Sequence, residues 1–202
     1  MTPNCQINST NLKILINCKI FNMKSKLLLA ISFFVCVQIF AEEKNTIGDI
    51  CEILAEQKAN AKNLLGESRK KFIRAMKKTC LVNRLSNENY ESDITKLTES
   101  IAILETIDGA RKELIDALEL RALKNTHKAY VNFGYVNTTA CWDAIFDYSH
   151  LMEFGENVSF YLNRGKLYYE VDKYSKACSD LSKANSLGSR EARNLMDKFD
   201  CY

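Results

Sequence analysis

The fold is indicated by residues 158–187, which read VSFYLNRGKLYYEVDKYSKACSDLSKANSL. Aromatic and small residues recur there at helical spacing in two halves, on either side of a turn around Asp172. Aspartate is a good helix N-cap, so we expect Asp172 to cap the second half. Gly165 lies within the first half, where glycine costs about 1 kcal/mol relative to alanine, and this favours a position where another backbone passes close by. Ala177 and Ala184 would allow the same approach from the other side, so the stretch predicts a tight antiparallel helix pair.

A similar pattern lies just upstream of this stretch. Tyr130-Val131-Asn132-Phe133-Gly134 precedes Tyr161-Leu162-Asn163-Arg164-Gly165 by 31 positions, and Ala144-Ile145-Phe146-Asp147-Tyr148 precedes Ala177-Cys178-Ser179-Asp180-Leu181 by 33. A period in this range is typical of helical repeat proteins. The upstream copy is degenerate, because it has two fewer residues between its glycine and its alanine.

The better copy resembles the tetratricopeptide repeat, a helix–turn–helix unit of 34 residues. The matching residues are Tyr161, Asn163, Gly165, Tyr168, Asp172, Tyr174, Ala177, Leu181 and Ala184. The resemblance implies an all-α fold, in the form of a short α-solenoid of antiparallel helix pairs. It also implies a protein-interaction module rather than a catalyst.

Composition is compatible with helices throughout and argues against a nucleic-acid-binding surface. The only proline is Pro3, so nothing after residue 42 forbids a helix. Residues 1–41 carry four lysines and no acidic residue, so the other 24 basic and 25 acidic residues nearly balance. A nucleic-acid-binding face would need a basic excess.

Residues 23–41, MKSKLLLAISFFVCVQIFA, are typical of a secretory signal peptide. Lys24 and Lys26 precede an apolar run that ends before the small residue Ala41, where we expect cleavage. The run is short for a membrane-spanning helix, although an uncleaved anchor stays open as the alternative. We interpret residues 1–22 as an extension that is seldom translated. The sequence thus predicts a secreted or periplasmic protein without stable membrane insertion after cleavage.

The rest of the chain is expected to form an N-terminal helical hairpin at 42–87 and a region of helical repeats at 88–202. The expected helix pairs are 48–64 with 67–83, 88–106 with 109–124, 126–137 with 141–154, and 157–171 with 173–186. A solenoid needs a closing element with a polar outer side. The predicted capping helix at 189–199, with Ser189 as its N-cap, meets that need.

Five cysteines follow the signal peptide, and an odd number leaves at least one thiol unpaired. Residues equidistant from the turn of an antiparallel hairpin lie opposite each other. The predicted disulfides are therefore Cys178–Cys201, about the turn at Gly188, and Cys51–Cys80, about the turn at Leu65-Gly66. Cys141 is the expected free thiol. The alternative is that all five are buried free thiols, because cysteine packs well as a small hydrophobe.

The resemblance also implies a peptide-binding groove lined by the first helix of each pair. On those helices the predicted groove residues are Asn132, Asn163, Lys166, Tyr169 and Glu170. An asparagine amide can both donate to and accept from a peptide backbone, which suits this role. The alternative is that both asparagines bridge neighbouring helices and bind no partner.

Signals for catalysis, a metal or a cofactor are weak. His127 and His150 lie in different predicted helices without a surrounding motif, and the chain contains no Gly-rich phosphate loop, GxSxG or HExxH sequence. We therefore expect a protein that is not an enzyme and uses no cofactor, and that binds a protein or peptide partner. The main alternative is a small disulfide-stapled helical envelope protein with an inhibitory or enzymatic role, and a third is a lipid-surface protein.

Overall fold

Helices make up nearly all of the chain that the computed structural model describes, which comprises residues 47–85, 89–131 and 135–201. In chain order they are α1 (47–61), α2 (Gly66–Leu85), α3 (Tyr90–Leu104), α4 (Arg111–Tyr130), α5 (Thr138–Phe154), α6 (Val158–Glu170), α7 (Tyr174–Ser186) and α8 (Arg190–Lys198). These three ranges contain no β-strand, which confirms the predicted all-α class.

Short polar side chains fix the starts of four helices. Asn89, Asn137, Asn157 and Ser189 each accept a hydrogen bond from a backbone N–H in the first turn of the helix that follows, at 2.9 to 3.1 Å. Such a cap satisfies a donor that has no partner within the helix. The predicted N-cap at Ser189 is thus confirmed.

The predicted N-cap at Asp172 is wrong. Lys173 occupies that position before α7, and its side chain makes no capping hydrogen bond. Asp172 lies in the turn with a φ of 57°, a left-handed conformation that aspartate adopts more readily than most residues. Its carboxylate instead accepts a hydrogen bond of 2.6 Å from the Tyr174 hydroxyl.

Gly165 lies where α6 and α7 approach closely, as its position in the sequence predicts. A Cβ atom there would lie 3.1 Å from Cγ of Leu181, 3.2 Å from Cβ of Asp180 and 3.3 Å from the carbonyl oxygen of Ala177. A methyl group would therefore push α7 away. The absence of a side chain is what permits this packing distance.

The helix predicted at 126–137 is wrong, because α4 continues to Tyr130 without a break. Thr126 stays in the helix, since its hydroxyl donates to the Ala122 carbonyl at 2.8 Å. Asn125 is buried and lies next to Asp147 on α5. Burial of Asn125 and the local hydrogen bond of Thr126 thus keep in the helix two residues that otherwise favour a helix start.

Each helix packs mainly against the helices that precede and follow it in the sequence. One apolar core extends from α1 to α7, with Phe72, Leu97, Leu118, Tyr148 and Leu167 among its buried members. A smaller cluster of Leu181, Ala184 and Ala192 joins α7 to α8. The terminal helix therefore has less apolar contact than the helices in the middle.

Both predicted disulfides are confirmed. Cys51–Cys80 joins α1 to α2 with Cα atoms 5.7 Å apart, and Cys178–Cys201 joins α7 to the segment after α8 at 5.3 Å. Cys141 is the free, buried thiol, also as predicted. The first described helix and the segment after the last one are thus each tied covalently to a neighbouring helix. The two bridges fit an oxidising environment.

Within the described ranges, no helix combines the length and the apolar character needed to cross a bilayer. The predicted extension at 1–22, the predicted signal peptide at 23–41 and the predicted groove residue Asn132 lie outside the described residues.

Candidate functional site

An arginine on α4 links three helices. The Nε and Nη2 atoms of Arg121 donate to the two carboxylate oxygens of Asp147 on α5, at 3.0 and 2.6 Å. Its Nη1 atom donates to Oγ1 of Thr98 on α3 at 3.1 Å. Asp147 is buried, so the planar guanidinium supplies the paired, charged donors that a carboxylate needs away from water.

The same arrangement occurs one helix pair later. The Nε and Nη2 atoms of Arg164 on α6 donate to Asp180 on α7 at 2.8 and 2.9 Å. Its Nη1 atom donates to Oγ of Ser149 on α5 at 2.9 Å. We call these two sets, Arg121–Asp147–Thr98 and Arg164–Asp180–Ser149, the arginine clamps.

The arginine clamps define which residues correspond in the two helix pairs. Asp147 and Asp180 are 33 residues apart, as the sequence comparison of the second helices predicts. The predicted 31-residue correspondence of the first helices is wrong, because the residue that matches Arg164 is Arg121, on α4. The small residue that corresponds to Gly165 is therefore Ala122, which is buried.

Two exposed aromatic residues lie on α5 at positions where the corresponding helix, α7, has serine. Trp142 is 44% exposed and Phe146 is 67% exposed, and the clamp register aligns them with Ser175 and Ser179 of α7. They lie one turn apart and so share a face of the helix. Trp142 also contacts the Tyr168 ring edge-on, with centroids 6.4 Å apart. We call Trp142 and Phe146 the α5 aromatic pair.

The sequence alone did not lead us to predict the α5 aromatic pair, although it contains a relevant difference between the two helices. The 33-residue alignment already set Phe146 opposite Ser179. An aromatic residue at position 142 or 146 could equally have been buried against a neighbouring helix. Only the tertiary structure shows that both side chains are exposed.

The predicted groove residues on α6 divide between two neighbouring surfaces. Asn163 donates from Nδ2 to the Tyr148 hydroxyl on α5 at 3.3 Å. The carboxylate of Glu170 lies near the hydroxyl of Tyr130, at the end of α4. These two residues therefore face the preceding helix pair.

Lys166 and Tyr169 instead contact the C-terminal helix region. Lys166 Nζ lies 2.5 Å from Oε1 of Glu191 on α8, and the Tyr169 ring stacks on Phe199 with centroids 3.5 Å apart. The disulfide at Cys201 follows directly in the chain. This part of the predicted groove is thus occupied by the protein's own C-terminal segment.

Charged and polar groups meet where α4, α5 and α6 come together. Partial burial, and next the negative charge of Glu170, raise the pKa of Tyr130. Burial and the same charge raise the pKa of the Cys141 thiol to about 11. The thiol is therefore protonated at neutral pH and is a poor nucleophile.

Neither histidine belongs to a cluster of ligands. His127 meets the ring of Tyr90 edge-on at 6.5 Å, and His150 packs on Phe154 at 5.3 Å. Across the described ranges, no group of three or more His, Cys, Asp or Glu side chains is placed to hold a metal ion.

No protein-family model, curated protein or solved structure matches this chain.

Proposed function

We propose that this protein is an interaction module of the tetratricopeptide type that binds a protein or peptide partner outside the cytoplasm. Two observations support a repeat architecture of stacked antiparallel pairs. Consecutive helices pack serially along the chain, and the arginine clamps repeat the same contacts in α4–α5 and α6–α7. Helical repeats with this construction present extended surfaces to partners.

The observation that carries the proposal is the exposure of the α5 aromatic pair. Ser175 and Ser179 occupy the equivalent positions on α7, so the helix pair does not require large apolar side chains there. Fully burying an aromatic side chain of this size against a partner contributes about 1.5–3 kcal/mol. Aromatic residues are also enriched among those that dominate binding energy at interfaces.

The predicted peptide groove remains a second proposed contact of the same module. Asn163 and Glu170 would face a peptide from the side of α5. Lys166 and Tyr169 would contact the peptide only if it displaced Glu191 and Phe199 or lay beside them. A partner that needs these two residues would therefore compete with α8.

The proposal also includes export from the cytoplasm. We propose that residues 23–41 direct the chain out of the cytoplasm and are removed after Ala41. The disulfides Cys51–Cys80 and Cys178–Cys201 suit the compartment that this signal implies. N-terminal sequencing of exported protein tests this step, and a first residue of Thr2 or Met23 would contradict it.

The binding proposal is tested with a Trp142→Ser, Phe146→Ser double variant. Chemical cross-linking in the envelope fraction, followed by mass spectrometry of cross-linked peptides, should identify a partner that contacts α5. The double variant should lower the affinity for that partner at least about tenfold, as expected for the loss of two buried aromatic anchors.

The matched control is Ser175→Ala with Ser179→Ala, at the equivalent positions of α7. This control should leave the affinity unchanged, and circular dichroism of both variants should keep the helical signal of the wild type. Unchanged affinity in the aromatic double variant, with the partner still cross-linked elsewhere, would contradict α5 as the contact surface.

A further inference from the structure

A groove of about 500 Å³ opens between α1 and α2, in the N-terminal hairpin and away from the α5 aromatic pair. Its apolar lining consists of Ile73 and Leu81, both partly buried. Its charged lining consists of Glu52, Glu56, Lys70, Arg74, Lys77 and Lys78. Basic side chains thus outnumber acidic ones two to one around an apolar floor.

Both carboxylates of the groove already have partners. Glu52 pairs with Lys77 at 2.8 Å, and Glu56 pairs with Arg69. Because each acid is neutralised by its own cation, neither can balance the remaining positive charge.

Lys77 pairs with Glu52 and Lys78 with Glu99, so Lys70 and Arg74 carry the remaining charge. They are exposed, and no hydrogen bond or ion pair joins either side chain to another residue in the described ranges. They stand four residues apart on α2, where like charges repel across one helical turn. An anionic group bound between them would relieve this repulsion.

We propose that the α1–α2 groove binds an acidic peptide segment in which apolar side chains alternate with carboxylates. The carboxylates would pair with Lys70 and Arg74, and the apolar side chains would cover Ile73 and Leu81. A peptide suits this site better than an anionic membrane, because its carboxylates can lie beside Lys70 and Arg74 and away from Glu52 and Glu56, whereas a bilayer would meet all four charges. The site lies on a different helix pair from the α5 aromatic pair and does not depend on it.

The test uses the full chain with both disulfides intact and a fluorescently labelled peptide of alternating Glu and Val. Fluorescence anisotropy should show saturable binding that weakens with added salt. Lys70→Gln with Arg74→Gln should weaken binding about fivefold or more, as expected for the loss of two solvent-exposed charge contacts. The matched control is Arg190→Gln with Arg193→Gln on α8, which removes the same net charge from another exposed face and should change affinity less than about twofold.

Two further probes separate the parts of the proposal. A peptide of alternating Gln and Val should not bind, and a peptide of alternating Glu and Ser should bind several-fold more weakly than the Glu and Val peptide. Equal weakening by both double variants would show nonspecific electrostatic attraction and overturn the site. Equal binding of the Glu and Ser peptide and the Glu and Val peptide would rule out a contribution from Ile73 and Leu81. Binding of anionic phospholipid vesicles that needs Lys70 and Arg74, with no peptide binding, would replace the proposed partner with a membrane.

Discussion

Arg164 and Asp180 are joined by two parallel hydrogen bonds of 2.8 and 2.9 Å, and the same bonds recur between Arg121 and Asp147. In each case the arginine and the aspartate lie on consecutive helices, α6 and α7 or α4 and α5. The third donor of each arginine reaches a hydroxyl on the preceding helix. The arginine clamps thus fix both the packing of two consecutive helices and their contact with the helix that precedes them.

Removal of Arg164 should destabilise the protein strongly. Arg164→Met leaves the buried Asp180 carboxylate without its cation, which costs about 3 kcal/mol in the free energy of unfolding. Urea unfolding followed by circular dichroism measures this loss. Lys166→Met on the same helix is the control, because Lys166 pairs with the exposed Glu191 of α8. This substitution should cost less than about 1 kcal/mol. Equal effects of the two substitutions would contradict a structural role for the clamp.

Gly165→Ala should lower the melting temperature although alanine favours helices. The added methyl group would meet Leu181 at 3.1 Å and the Ala177 carbonyl at 3.3 Å, and overpacking of this kind outweighs the gain in helix propensity by about 1–2 kcal/mol. Gly48→Ala is the matched control on α1, where no atom lies within 4 Å of the new methyl group. That substitution should stabilise the protein by about 0.5 kcal/mol. A stabilising Gly165→Ala would show that α6 and α7 are not in close contact.

Asp147 should make stability depend on pH in the acidic range. Burial raises the pKa of this carboxyl above 3.8, although its hydrogen bonds to Arg121 oppose the shift. At a pH between the pKa of Asp147 in the unfolded chain and its higher pKa in the native state, the native state holds a proton that the unfolded chain lacks. The contribution of Asp147 to the free energy of unfolding therefore rises as pH falls through the native pKa, and it levels off below the unfolded value.

The Asp147→Asn variant tests this dependence, because it has no proton to bind. Urea unfolding at a series of pH values from neutral to about 4 should show a smaller rise in stability towards acid for the variant than for the wild type. Parallel curves for the two proteins would contradict a raised native pKa at Asp147.

The two disulfides and the free thiol should behave differently towards alkylation. Without reductant, iodoacetamide should label Cys141 only after unfolding, because the thiol is buried and its pKa is raised to about 11. Peptide mapping should find Cys178 linked to Cys201 and Cys51 linked to Cys80. Alkylated Cys178 in native exported protein would contradict this connectivity.

Replacing either bridge by a pair of alanines should lower the free energy of unfolding by about 2–4 kcal/mol. The two variants are Cys51→Ala with Cys80→Ala, and Cys178→Ala with Cys201→Ala. Because α8 has few buried contacts apart from Ala192, the second variant should also speed hydrogen exchange in α8. Exchange in α8 that is unchanged would show that packing alone holds this helix.

The sequence by itself determined the helical class, the capping of α8 and both disulfides. These follow from local rules, since helix periodicity repeats every few residues and hairpin symmetry places Cys51 opposite Cys80 and Cys178 opposite Cys201. The need for a small residue at Gly165 also followed, because glycine is disfavoured inside a helix unless another chain segment requires the space.

Only the tertiary structure decided where α4 ends and which residues it brings to the site. Asn125 and Thr126 are typical of a helix start, but Asn125 is buried beside Asp147 and Thr126 bonds back to Ala122. Packing against a residue distant in sequence, together with a local hydrogen bond, thus overrode this preference. The continuous helix carries Arg121, which binds Asp147. The exposure of Trp142 and Phe146 and the cover that Phe199 gives to Tyr169 were decided in the same way, because solvent access depends on which helices pack together and not on spacing along one helix.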